Sequence, residues 1–75
     1  MAPDKLAHIL HERISDFGEK PSYVLFPEEL VAGLENGLLA VFEEVDRGDG
    51  TIITKVIFEG KFFICAKEST KAATR

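Results

Sequence analysis

The sequence predicts an α+β fold, with two helices ahead of a small antiparallel sheet. Three observations carry this. Residues 3–17, "PDKLAHILHERISDF", repeat apolar side chains at helical spacing. Residues 38–68 hold three β-rich runs separated by short glycine-bearing connections. The chain has 75 residues, 45% hydrophobic and 29% charged, which is a globular balance near the lower size limit for independent folding. Residues 1–68 are expected to form one domain, and 69–75, without apolar periodicity, a mobile tail.

In the first helix Leu6, Ile9, Leu10, Ile14 and Phe17 form one stripe. Pro3 suits its first turn, Asp4 favours its positive end, and Gly18 is a natural left-handed stop. Pro21 and Ser22 then break the chain. Tyr23 to Phe26 is extended by composition, a candidate fourth short strand near 23–26. "PEELVAGLENG", 27–37, reads as a shorter helix with Pro27 first, Glu28 and Glu29 at its N-terminus, and Asn36-Gly37 as its stop. Gly33 inside it costs about 1 kcal/mol against alanine, so this helix needs packing to persist.

The strands are expected at about 38–46, 51–58 and 62–68, as a three-stranded antiparallel meander. A four-residue loop at 47–50 pairs Val45 with Ile52, Val41 with Val56 and Leu39 with Phe58. A three-residue loop at 59–61, with Gly60 at positive φ, pairs Phe58 with Phe62, Val56 with Ile64 and Thr54 with Ala66. That register assigns Leu39, Val41, Val45, Ile52, Val56, Phe58, Phe62, Ile64 and Ala66 to the core. It leaves Leu38, Ala40, Phe42, Ile53, Ile57, Phe63 and Cys65 on the opposite face, among Glu44, Lys55 and Lys67.

This second face is the unusual feature. Moving each large apolar side chain out of water is worth about 1.5–3 kcal/mol, so a sheet with two oily faces needs two covers. Either the short helix and Tyr23–Phe26 fold over the second face, or both helices share the first face and a partner takes the second. A nine-residue helix spans only about 14 Å and would cover the second face poorly. The expectation therefore favours a partner.

Other chemistry finds little support. His8 and His11 lie three apart on one helix and could share a metal, but two ligands do not make a site, and "HILHE" departs from the zinc-protease order. They read as solvated helix histidines. Arg47-Gly48-Asp49 spells an adhesion tripeptide, yet Asp46, Gly48, Asp49 and Gly50 are explained fully as turn formers. A calcium loop started at Asp46 has glycine at its third and fifth positions and isoleucine at its twelfth, so it fails. No nucleophile or phosphate-loop motif is present, and Cys65 among phenylalanines reads as a small inert hydrophobe. Glu43 is placed opposite Thr54 on the core face unless a β-bulge turns it outward.

The helix–strand–helix–hairpin order superficially suits a winged helix. However, the reading helix would carry Glu28, Glu29 and Glu35 with no cation, and the net charge is −4, so no nucleic-acid partner is expected. No stretch reaches the roughly 18–20 apolar residues of a membrane span. One cysteine and the non-signal-like "MAPDKLAHIL" fit a cytoplasmic protein.

The sequence thus points to a small acidic interaction module, with no enzymatic activity, metal or cofactor expected. It would act as a homodimer or as a small subunit or regulator of a larger protein. Phe42, Ile53, Ile57, Phe63 and Cys65 would form the contact surface, with Glu43, Glu44 and Asp46 as a polar rim. The alternative is an acidic inhibitor, of the kind some phages encode, that occupies a basic groove on its target.

Overall fold

A computed structural model describes residues 2–68 of the chain, so the expected tail at 69–75 lies outside the described residues. The order is α1 (Pro3–Phe17), β1 (Tyr23–Val24), α2 (Pro27–Glu35), β2 (Ala40–Asp46), β3 (Thr51–Phe58) and β4 (Lys61–Glu68). The strands form one sheet in the order β1-β4-β3-β2. The meander is antiparallel, and β1 adds a parallel edge beside β4, with Tyr23 opposite Phe63 and Val24 opposite Ile64. The α+β fold and the fourth short strand are both present.

The helix ends follow local chemistry. Pro3 opens α1, and the Gly18 N–H donates to the Ile14 carbonyl at 2.9 Å with Gly18 at φ 70°. In α2 the Glu29 carboxylate reaches back to accept the Phe26 N–H at 3.0 Å, one half of a capping box. At its other end Leu38 and Leu39 both donate to the Gly33 carbonyl, at 2.9 and 3.1 Å, and Gly37 takes φ 74°. Gly33 has a packing reason beyond this. A Cβ there would stand 2.3 Å from Leu39 Cδ1, so only glycine lets Leu39 fold back under the helix.

The core is a single cluster. Leu6 and Leu10 of α1, Leu30 and Ala32 of α2, and Tyr23, Leu25 and Leu39 pack with Val56, Phe58, Phe63 and Cys65. Those four strand residues share one face, so both helices lie on the same side of the sheet and the molecule has two layers.

The register corrects the sequence reading in β4. The β3–β4 connection is a two-residue turn, Glu59-Gly60, with φ 51° and 79°, in place of the expected three-residue loop. Two successive positive φ values match the right-handed twist of a tight hairpin. Glutamate is an unusual occupant there, and its carboxylate is held by His11 Nε2 at 2.6 Å. Shortening the loop by one residue turns every β4 side chain over. Phe63 and Cys65 therefore face the core, opposite Val56 and Thr54, while Phe62, Ile64 and Ala66 face outward. "FFIC" is apolar in either phase, which is why periodicity alone did not choose. In the chosen phase Phe63 meets Tyr23 and Phe58, with ring centroids 5.2 and 6.1 Å apart.

In β2 the expected pairing of Val41 with Val56 is present, but a bulge follows between Val41 and Glu43. Beyond it Glu43 pairs with Lys55, Glu44 with Thr54 and Val45 with Ile53. Glu43 is thus turned outward, and Glu44 takes the place facing buried Thr54, whose hydroxyl donates to it over a long 3.4 Å. Val45, expected in the core, lies on the outer face.

Candidate interaction surface

The outer face is built in rows by the pairing of the strands. Its central row runs Val24, Ile64, Lys55, Glu43 from β1 to β2. On one side lie Phe62, Ile57 and Ala40, and on the other Ala66, Ile53 and Val45. The bulge inserts Phe42 beside the first of these rows, where its ring meets Phe62 at 5.1 Å, edge to face. Among the described residues no helix side chain joins this layer, because both helices pack into the cluster on the other side. Phe42 is 56%, Val24 51% and Val45 44% exposed, whereas Phe63 and Cys65 are fully buried.

Of the five residues singled out as a contact surface, the structure brings together Phe42, Ile53 and Ile57. Phe63 and Cys65 are corrected to the core by the one-residue change of register. Phe62, Ile64 and Val24 take their place on the face. The apolar runs contain the signal for this surface, but its phase depends on the turn length. The polar rim also divides. Glu43 borders the outer face, Glu44 contacts Thr54 on the inner one, and Asp46 Oδ1 accepts the Gly48 N–H at 2.9 Å within the loop.

The one cation in the central row, Lys55, folds over aromatic carbon. Its Nζ lies 5.1 Å from the Phe62 ring centre and 5.9 Å from that of Phe42. Among the described residues neither Lys55 nor Glu43 takes part in an ion pair.

Both edges of the sheet are obstructed. At β1 the Arg13 guanidinium donates to the Val24 carbonyl at 2.9 Å, occupying an edge acceptor. The same group clamps Glu29 in two parallel bonds of 2.9 and 3.0 Å and lies 5.4 Å from the Phe26 ring centre. Burial pushes the Glu29 carboxyl up, but the Arg13 hydrogen bonds, the Phe26 N–H and the Arg13 charge outweigh it and hold the group below its ordinary value. At β2 the bulge and three carboxylates, Glu43, Glu44 and Asp46, oppose addition of a strand.

The remaining candidates are accounted for locally. His8 Nε2 lies 3.3 Å from Glu12, and His11 turns instead to Glu59, so the two imidazoles serve different carboxylates. Among the described residues no group of three His, Cys, Asp or Glu side chains could hold a metal ion. In the 47–50 loop Asp49 Oδ1 accepts the Thr51 N–H at 3.0 Å and its other oxygen lies 3.7 Å from Arg47. Burial raises the Cys65 thiol pKa; Lys67 opposes this, and Glu28 and Glu29 add to it, so the thiol stays protonated and unreactive at neutral pH. A shallow cleft of about 210 Å³ lies between Phe17, Lys20, Ser22, Tyr23 and Val24, beside the β1 edge. Among the described residues no helix is long and apolar enough to cross a membrane.

The chain matches no protein-family model, and no curated protein or solved structure is significantly similar to it.

Proposed function

We propose that this protein is a small non-catalytic interaction module that works through the outer face of its sheet, as a homodimer or as a small subunit or regulator of a larger protein. One observation carries the reading. The same two strands, β3 and β4, that bury Val56, Phe58, Phe63 and Cys65 under two helices present Ile53, Ile57, Phe62 and Ile64 on the other face, with no layer above them among the described residues. A contiguous apolar patch of this kind is the usual mark of a contact surface. The lone buried thiol supports a reducing compartment such as the cytoplasm. The acidic balance of the chain, −4, argues against phosphate backbones as ligands.

The test uses wild type and Ile57→Asp, compared by sedimentation velocity and by binding of a hydrophobic fluorescent dye at low protein concentration. The wild type should associate or bind dye at the outer face, and Ile57→Asp should reduce whichever occurs while the circular dichroism stays native. A wild-type chain that stays monomeric up to high micromolar concentration and also binds no dye would remove the basis for the reading. Phe63→Glu is no test of this surface, because Phe63 is a core residue.

A further inference from the structure

We infer that a second copy of this chain occupies the outer face over β2 and β3, docked face to face about a two-fold axis that brings Lys55 of each copy against Glu43 of the other. This rests on the reading of the outer face as a contact surface and adds the identity of the partner and its register.

Two features point to it, and a third sets its strength. The first is self-complementary charge. Lys55 and Glu43 are directly opposite each other on neighbouring strands, yet among the described residues neither takes part in an ion pair. A two-fold axis running between β2 and β3, parallel to the strands, superposes each row on itself with the two strands exchanged. Lys55 then lies over Glu43 of the second copy and Glu43 over its Lys55, and both pairs form at once. The same operation sets Ile53 against Val45 and Ile57 against Ala40.

The second feature is where the remaining charge sits. A chain of net charge −4 repels its own kind, but among the described residues the outer face between its ends carries one cation and one anion. Glu44 and Asp46 belong to the other face, and Glu68 stands at the far end of β4. Two copies meeting on this face therefore avoid most of their mutual repulsion. Edge-to-edge pairing would instead set Glu43, Glu44 and Asp46 of two β2 strands side by side.

The third is area: the axis lays β2 and β3 of one copy over β3 and β2 of the other, an outline of about 25 Å by 10 Å, with β4 at its margin. That is well below the roughly 800 Å² per partner of a standard interface, so a weak, readily reversible dimer is expected, populated only toward the upper end of the micromolar range.

Sedimentation equilibrium of the full chain from about 5 to 500 µM tests this, with Lys55→Glu and Glu43→Lys made separately. The wild type should be a monomer–dimer mixture, and each variant alone should dimerise at least about tenfold more weakly. An equimolar mixture of the two variants should recover dimer to within about threefold of wild type, since a mixed pair restores both contacts while each like pair loses them. Urea unfolding of dilute variants checks that each remains folded.

A dimer indifferent to both substitutions, or a mixture no stronger than its parts, would overturn the pairing. A wild type that stays monomeric yet binds hydrophobic dye lost in Ile57→Asp would overturn the second copy as partner and leave the contact-surface reading standing. A monomer that binds no dye would end both.

Discussion

The inner and outer faces of this sheet are made by the same strands, with nearly the same kinds of residue, and differ in what lies over them. Phe63 and Phe62 are neighbours in sequence and identical in chemistry. Phe63 is fully buried between Tyr23 and Phe58 under the helices, while Phe62 lies half-buried against Phe42 and beneath Lys55. The contrast teaches that apolar content along a strand does not say which residues are core. In a two-layer fold the helices close one face only, and the strand's phase decides which residues receive that cover.

The sharpest way to break the comparison is to truncate each phenylalanine. Phe63→Ala should lose about 3–5 kcal/mol in urea unfolding, and a domain of this size holds only about 4–11 kcal/mol in all. Phe62→Ala should cost the dilute monomer under about 1 kcal/mol and act chiefly on association. Equal losses at both positions would mean that the outer face is covered within the monomer.

A similar effect is expected at Arg13, which joins α1, β1 and α2. Arg13→Met leaves the Glu29 carboxylate buried and unpaired and should cost about 3 kcal/mol or more. The pair also sets an acid limit. Glu29 ionises in the folded state below its ordinary value of 4.5, so its contribution is complete above that value and disappears as pH falls through the lower folded one. Wild type should therefore lose stability as pH falls below about 4.5, and Glu29→Gln should show a shallower fall in urea midpoint over the same acid interval.

Gly33→Ala gives a smaller effect with an instructive sign. Helix propensity alone predicts a gain of about 1 kcal/mol. The contact with Leu39 predicts a net loss of about 1–3 kcal/mol, because the new methyl group must displace a buried side chain. The smallest perturbation is chemical. Cys65 should resist alkylation in the native state and react freely in urea, which would locate it on the inner face without any substitution. Rapid native labelling would place it outside instead.

Much of the fold was legible in the residues. The α1 limits, the start of α2, the 51–58 strand and the pairing of Val41 with Val56 follow from caps, turn residues and periodicity, all of which act over a few positions of chain. The surplus of apolar β surface was equally legible, since it is a count of side chains against the length of the helices. The Arg13–Glu29 clamp was not: its members are sixteen residues apart, and nothing local distinguishes them from other surface charges.

The sequence by itself determined an α+β domain with more oily strand surface than two short helices can shelter, because helix and strand signals are written within single segments. Only the tertiary structure decided which half of "FFIC" goes inside. A hairpin of two or three residues leaves either alternate set apolar, and the choice falls to distant partners: Tyr23 against Phe63, and His11 holding Glu59 in the turn. Those contacts join segments far apart along the chain, so no local pattern could announce them.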